Sequence, residues 1–217
     1  MTSVRTDTAA PPPRARKTAG RARAAGGPLV ALAVALAVVR PTAGLAEVRE
    51  TLRTQTYPVR VIPGKDLRDM LNAASPIRVD GQIFHGQTRW FVRWNFRWWR
   101  EADGRCRITR ADTRLEVEVT MPAAGDPELR RSRPLQAYLA ALDVHEIGHV
   151  EIGRRAAGAI DRGIHGLPEM PGCDALSAAV TDLAERQLQR FREEERSYDR
   201  NTGHGRTQGA SIGAGVR

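Results

Sequence analysis

The sequence predicts an α+β domain in which a small antiparallel sheet packs on two long helices. Three observations predict this fold: a stretch of alternating aromatic residues at 89–98, a second alternating stretch at 115–121, and two long helical patterns after about residue 127. A chain of 217 residues, 41% of them hydrophobic, is sufficient to build one domain core. We expect residues 47–217 to form that domain.

The first 46 residues are expected to be a targeting segment that is removed and takes no part in the fold. An arginine-rich stretch precedes the apolar run Leu29–Val39, which is too short to cross a bilayer, because a spanning helix needs about 20 residues. Gly44 and Ala46 supply the small residues expected before a signal cleavage site. The mature protein is therefore expected to be secreted or periplasmic. An uncleaved anchor or a disordered arm is the alternative for this segment.

Removal of this segment changes the charge of the protein. The whole chain has 34 Lys and Arg against 25 Asp and Glu, a formal charge of +9. The segment holds seven bases and one acid, so 27 bases and 24 acids remain and the charge falls to +3. We therefore expect no nucleic-acid partner. We also expect no stable membrane insertion after removal of the signal, because no later apolar run is long enough to span a bilayer.

The first half of the domain is expected to be mainly strands. β-Branched residues at 51–62 predict an edge strand, because Pro58 has no N–H to offer a second neighbour. Apolar side chains at helical spacing in 67–71 predict one short helix that ends before Pro76. The turn signal Asp103-Gly104 then joins the two alternating stretches into a hairpin or meander.

The alternation at 89–98 predicts one buried and one solvated strand face. The apolar side chains of this stretch are Trp90, Val92, Trp94, Phe96 and Trp98. A nucleic-acid or membrane surface built from arginine and tryptophan is the more specific interpretation. A core strand with a solvated arginine side is favoured, because arginine outnumbers lysine 32 to 2 along the chain and local arginine carries little information.

The second half of the domain is expected to be helical. A helical pattern starts near Pro127 and continues to Ile160, and Gly163 is expected to end that helix. A second long helix is predicted over Leu176–Phe191, followed by an irregular, glycine-rich tail at 197–215.

Cys106 and Cys173 are the two cysteines of the chain, and both follow the targeting segment. In an exported protein such a pair is most simply a disulfide. Zinc ligation by the two thiolates is the competing interpretation, although neither cysteine lies in a C-x-x-C arrangement.

The most informative motif is His145-Glu146-Ile147-Gly148-His149, which lies within the predicted first long helix. Residues four apart on a helix lie one turn apart on the same side, so both imidazoles can bind one ion. Glu146 lies beside them and could act on a metal-bound water without replacing it. This pattern predicts a zincin-like active-site helix for metal-assisted hydrolysis. A chance arrangement on a solvent-facing helix is the alternative.

A catalytic zinc site needs a third protein ligand and one open position. The residues that could supply the third ligand are His85, His165, His204, Asp161, Glu169, Asp182, Glu185 and Asp199. His204 is favoured, because Gly203 and Gly205 allow a close approach of its backbone, and Asp199 or an acid on the second helix is the alternative. His85 and His165 are expected to be ordinary surface histidines. Tyr198 is a candidate for stabilising an oxyanion, with a structural role as the alternative.

Three features together resemble a known bacterial family, described as predicted secreted zinc-dependent proteases. They are the H-E-I-G-H helix, the Trp-rich strand pair that carries Cys106 and ends in Thr120-Met121-Pro122, and the closing stretch YDRNTGHGRTQGA. The resemblance extends from about Thr56 to Ala210, and the closing stretch is its most specific part. It implies that His145 and His149 are ligands, that Glu146 is the catalyst and that the segment around His204 is functional.

We therefore expect an exported zinc-dependent peptidase that acts on a peptide or protein substrate. Zn²⁺ would be bound by His145, His149 and His204, with Glu146 and Tyr198 as catalytic groups. The alternative is a non-catalytic exported module that binds a partner through the arginine and tryptophan strand face, with any metal purely structural. The sequence does not indicate an oligomeric state.

Overall fold

A computed structural model describes residues 48–213 of the chain, and the predicted targeting segment, residues 1–46, lies outside them. In chain order the elements are β1 (Arg49–Val59), α1 (Leu67–Ala74), β2 (Ile77–Val79), β3 (Gln82–Phe84), β4 (Gln87–Arg100), β5 (Cys106–Ala124), α2 (Pro127–Arg131), α3 (Arg133–His165) and α4 (Cys173–Thr202). A short 3₁₀ turn, Arg206–Gln208, follows α4. The predicted α+β class is confirmed. Within 48–213, none of the helices has the length and apolar character that crossing a membrane requires.

The main sheet has three strands in the order β1-β5-β4. β4 and β5 form the predicted antiparallel hairpin, and β1 lies at the predicted edge. The prediction of a wholly antiparallel sheet is wrong, because β1 pairs with β5 in parallel. β1 and β4 run in opposite directions with one strand position between them. β5 fills that position and, as the hairpin partner of β4, runs antiparallel to β4. It therefore has the same direction as β1.

The two faces of the sheet have opposite character, as the alternation predicted. On β4, Val92, Trp94 and Phe96 are buried towards the helices, whereas Arg89 and Arg93 are exposed. The exposed arginines form cross-strand ion pairs with acids of β5, over 2.8 Å from Arg89 to Glu118 and 3.4 Å from Arg93 to Glu116. The interpretation of 89–98 as a core strand with a solvated arginine side is therefore confirmed.

Helix α3 packs on the buried face of the sheet and also contacts α4. The helix predicted from residue 127 is interrupted at Ser132, whose hydroxyl accepts a hydrogen bond from the Leu135 N–H over 3.4 Å and caps α3. The predicted end at Gly163 is wrong, because α3 continues to His165. Gly163 instead allows the close packing of α4, since a Cβ there would lie 2.7 Å from Leu183.

Helix α4 is longer than the sequence predicted. It extends from Cys173 to Thr202 and ends at Gly203, which has a left-handed backbone with φ of +56°. The prediction of an irregular tail from residue 197 is therefore wrong for 197–202. Tyr198 packs its ring on two histidines of α3, and this tertiary contact keeps a polar segment helical. As a consequence, Glu195, Tyr198 and Asp199 face α3, whereas Arg196 and Arg200 on the same turns are exposed.

The predicted disulfide between Cys106 and Cys173 is present, with Cα atoms 5.1 Å apart, and it excludes these thiols as zinc ligands. It joins the first residue of β5 to the first residue of α4. Cys106 also exchanges two backbone hydrogen bonds with Met170, each of 2.9 Å. Closing a loop with a sequence separation of 67 residues stabilises the fold by about 4 kcal/mol in the chain-entropy model.

We expect replacement of both cysteines by serine to lower the free energy of unfolding by about 2–4 kcal/mol, because the unfolded chain regains loop entropy. Urea unfolding of the two proteins under identical conditions measures this difference. A titration of free thiols in unreduced, denatured protein is the control. Two free thiols there would contradict the disulfide.

Candidate metal centre

His145 and His149 lie one turn apart on α3 and are both buried, with 3% and 6% of their surfaces exposed. Their Nε2 atoms are 3.3 Å apart, and the two rings are nearly perpendicular. The two imidazoles of the motif therefore point at one place, as the helical spacing predicted.

Asp199 completes a group of three ligand atoms. It lies on the last turns of α4, and its Oδ1 is 3.3 Å from His145 Nε2 and 3.1 Å from His149 Nε2. In a tetrahedral zinc site with bonds of about 2.0–2.1 Å, neighbouring ligand atoms are about 3.3–3.4 Å apart. The three atoms thus have the dimensions of one face of a zinc tetrahedron, and the fourth coordination position would be open. Two imidazoles and one carboxylate are also a ligand set that zinc accepts.

The other nitrogen of each ring is held by an acceptor. His145 Nδ1 lies 3.0 Å from Gln208 Oε1, and His149 Nδ1 lies 2.9 Å from Glu195 Oε2. With a metal bound, these acceptors would hold the ring proton on each Nδ1 and leave the Nε2 lone pair for the ion. Glu195 is itself fixed by the indole of Trp90, which donates to Oε1 over 2.9 Å.

Sequence reasoning missed both Glu195 and Gln208. Glu195 precedes Asp199 by four residues, so the two acids share one side of α4 once that helix is known to continue to Thr202. The correct end of α4 would have been the signal for Glu195. Gln208 lies in the 3₁₀ turn after the helix, and no periodicity marked it.

The electrostatics of the site favour a bound cation. Burial works to raise the pKa of Asp199, but its hydrogen bonds with the two imidazoles lower it well below the usual range. Burial works to lower the pKa of His149, but hydrogen bonds with Asp199 and Glu195 raise it to about 10. Without metal, a proton on His149 therefore balances these carboxylates. A divalent cation between the rings would take over that role.

Glu146 lies beside the three ligand atoms without being one of them. Its side chain is buried, and its Oε2 accepts a hydrogen bond of 2.7 Å from the Thr88 hydroxyl. Burial raises the pKa of this carboxyl group, against the lowering effect of Thr88. Gly86 is packed against the carboxylate so closely that any Cβ at this position would collide with it.

His204 lies at the edge of the site. It follows Gly203, and its own φ is +56°, which is unusual for a residue with a side chain. Its Nδ1 is 3.4 Å from Asp199 Oδ1, its ring packs edge-on against Phe84, and about half of its side chain is exposed. It does not join the group of three atoms, in which Asp199 takes the position expected for His204. Ligation by His204 stays a prediction.

Tyr198 packs behind the site. Its ring stacks on His145 with centroids 5.1 Å apart, and its hydroxyl donates to the His145 carbonyl over 3.2 Å and accepts from Gln208 over 3.0 Å. The absence of a side chain at Gly148 makes room for this hydroxyl group. Tyr198 does not line the cleft that contains the ligand atoms. This position favours its structural alternative over the predicted oxyanion role.

Of the other predicted candidates, His85 differs most from expectation. The prediction of an ordinary surface histidine is wrong, because its ring is part-buried in the cleft between the Tyr138 hydroxyl, 2.6 Å from Nδ1, and Asn72 Oδ1, 2.9 Å from Nε2. Burial and the charge of Arg68 lower its pKa to about 4. His165 is exposed at the end of α3, as predicted. The other acids predicted as candidates for the third ligand do not join the group of three atoms; they are Asp161, Glu169, Asp182 and Glu185.

The ligand atoms open into a cleft of about 570 Å³, here named the metal cleft. One wall of the cleft is apolar and is formed by the β2–β3 hairpin together with Leu142. Residues 210–212, which follow the 3₁₀ turn, also line the cleft. Arg68 holds these last residues by donating to the Ile212 carbonyl over 2.6 Å. Glu146 also lines this cleft, so a molecule entering it would meet the carboxylate and the ligand atoms together.

Comparison with known proteins gives one match. A family model described as "Bacterial protein of unknown function (DUF922)" matches residues 54–205, more than two thirds of the chain. The matched range contains the three ligand atoms, Glu146 and Glu195, but Gln208 lies beyond it. No curated protein and no solved structure matches the chain.

The lowered pKa of His85 predicts a pH dependence of stability. Because the folded protein resists protonation of this ring, the unfolded state binds more protons between about pH 6.5 and pH 4. The contribution of His85 is therefore complete above pH 6.5 and is lost as the pH falls to about 4. Chemical unfolding of metal-free wild type and of His85→Gln across this range measures it. A constant difference in the free energy of unfolding between the two proteins would contradict the assignment.

Proposed function

The chain belongs to this bacterial family of unknown function, and we propose that it is a zinc-dependent hydrolase, most specifically a metallopeptidase. The observation that carries the proposal is the triangle of His145, His149 and Asp199 ligand atoms with the Glu146 carboxylate beside it in an open cleft. Three protein ligands with a free position are typical of catalytic zinc sites, whereas structural sites are closed by four.

Each residue has a distinct part in the proposed reaction. A zinc ion held by His145, His149 and Asp199 would supply a Lewis acid that activates water for attack. Glu146 accepts the proton released by the attacking water and delivers it to the leaving amine. Thr88 fixes Oε2 of this carboxylate, which leaves Oε1 for the proton transfer. The pKa of Glu146, raised by burial, suits a group that must both take and return a proton.

The ligands are held by residues that do not themselves react. Glu195 and Gln208 orient the two imidazoles, and Tyr198 supports the His145 ring from behind. We propose Asp199 as the third ligand, because its Oδ1 is the atom that lies within 3.3 Å of both Nε2 atoms. His204 then acts from the edge of the cleft.

An extended polypeptide suits the cleft better than a small polar substrate. The apolar wall includes Val79 and Ile83, whose hydrophobic side chains are about 40% exposed, and such side chains favour apolar substrate groups. Export of the protein is also part of the proposal. The disulfide supports it, because such bonds persist in oxidising compartments.

The rival function is a binding module that uses an arginine and tryptophan strand face. The burial pattern argues against it, because Trp94 faces the core with 1% exposure and Trp90 packs on α3 at Gly153. The arginines of β4 are exposed, and two of them, Arg89 and Arg93, are paired with Glu118 and Glu116 of β5. A metallopeptidase accounts for the buried histidines and Glu146, which the binding module leaves unexplained.

Zinc binding tests the ligand set. We expect about one zinc ion per chain, and loss of zinc on His145→Ala, because one ligand atom is removed. Asp199→Asn should weaken zinc binding more than about 100-fold and His204→Asn less than about tenfold, since only the first removes a ligand in this assignment. Competition with a chelator measures both affinities. The reverse order would make His204 the ligand.

Hydrolysis tests the role of Glu146. We expect Glu146→Gln to retain zinc and to lower kcat about 10²- to 10⁴-fold on a quenched fluorescent peptide library, because the proton acceptor is lost. Glu185→Gln, an exposed change on α4, is the matched control and should hydrolyse like wild type. A zinc-loaded wild type that cleaves no peptide, or an unimpaired Glu146→Gln, would contradict the peptidase.

A further inference from the structure

A second groove begins where the metal cleft ends. It has a volume of about 420 Å³ and lies between β4 and the middle of α4. Thr88 and Glu195 line both the groove and the metal cleft. These two residues hold Glu146 and His149, respectively, so the groove leads directly away from the proposed reaction centre. We call it the β4 groove.

One side of the β4 groove is an unpaired strand edge. β4 is the last strand of the main sheet, and among residues 48–213 nothing pairs with its outer edge. Thr88–Arg93 of this strand line the groove. Unpaired N–H and C=O groups of an edge strand bind an extended peptide as an added strand.

The other side of the β4 groove is basic. Arg192 and Arg196 lie one turn apart on α4, and both are exposed. Glu195 does not neutralise them, because its carboxylate faces inwards to Trp90 and His149. Arg196 is paired with the exposed Glu193, an interaction that contributes little and that a ligand can replace. Arg192 forms no ion pair within the described part of the chain.

We propose that the β4 groove binds the substrate as an extended acidic peptide, with carboxylate side chains facing Arg192 and Arg196. The inference rests on the proposed peptidase function and adds its substrate class. Arg192 precedes Asp199 by seven residues, which places it about 10 Å along α4 from the metal ligand. An extended peptide rises about 3.4 Å per residue, so the preferred acidic residue lies about three residues from the scissile bond.

A peptide fits these observations better than another anionic polymer. Strand addition needs a backbone with alternating donors and acceptors, which nucleic acids and polyphosphates lack. Arg89 and Arg93 also line the β4 groove, but they are paired with Glu118 and Glu116 across the sheet. Positive charge is therefore concentrated at two points on α4 and does not form the continuous track that a phosphate backbone requires.

Binding without cleavage provides the direct test. The zinc-loaded Glu146→Gln protein is titrated into two fluorescein-labelled peptides, one of alternating Val and Glu and one of alternating Val and Lys. Fluorescence anisotropy should show at least about tenfold tighter binding of the Glu peptide. When Arg192→Gln and Arg196→Gln are both introduced into the Glu146→Gln protein, this preference should be lost. Arg186→Gln, an exposed change on α4 outside the groove, should preserve it.

The outcomes separate this inference from the proposed function. Equal binding of the two peptides, or a preference that survives the double arginine change, would overturn the acidic-peptide groove. Oligothymidylate that binds as tightly as the Glu peptide would also overturn it in favour of a general anion site. Zinc-dependent cleavage by wild type with no preference for Glu contradicts the groove and leaves the peptidase standing. Selective binding of the Glu peptide with no cleavage by wild type supports the groove and contradicts the peptidase.

Discussion

The packing of α4 against α3 at Tyr198 is the interaction on which the site depends. The Tyr198 ring stacks on His145 and meets the edge of His149, and its hydroxyl group is held by the α3 backbone. This contact fixes the last turns of α4, and thereby the position of Asp199 opposite the two imidazoles. Without it, the H-E-x-x-H helix would offer two ligands and no third.

Two glycines of α3 make room for aromatic side chains of neighbouring elements. Gly148 leaves room for the Tyr198 hydroxyl, and Gly153 leaves room for the Trp90 ring. Trp90 in turn holds Glu195, which holds His149. A chain of contacts therefore runs from the sheet through α4 to the proposed metal ligands, so the core of the domain also fixes the positions of these side chains.

The sequence predicted the local elements, the hairpin and the disulfide, but neither the direction of β1 in the sheet nor the continuation of α4 to Thr202. Alternation at 89–98 and helical spacing around His145 are properties of neighbouring residues, and both predictions hold. The parallel pairing of β1 with β5 depends on where the chain crosses the sheet, which periodicity does not encode. The helical continuation through Tyr198 and Asp199 depends on packing against α3, so the composition of this polar segment suggested a tail instead.

In the candidate site, too, the residues of one helix were predicted and those brought in by the fold were not. The spacing of His145, Glu146 and His149 identified three of its members, because a single helix determines their geometry. Glu195 and Gln208 were missed, since only the folded chain brings them to the imidazoles. His85 was expected at the surface, and its place in the metal cleft comes from contacts with α1 and α3 that lie far away in the sequence.

The proposed function requires that one zinc ion is bound between His145, His149 and Asp199. Anomalous diffraction at the zinc absorption edge, from crystals of the metal-loaded protein, tests it most directly. We expect a single strong peak about 2.0–2.2 Å from both Nε2 atoms and from Asp199 Oδ1. A map with no peak between the two imidazoles, or with the ion bound elsewhere in the protein, would contradict it.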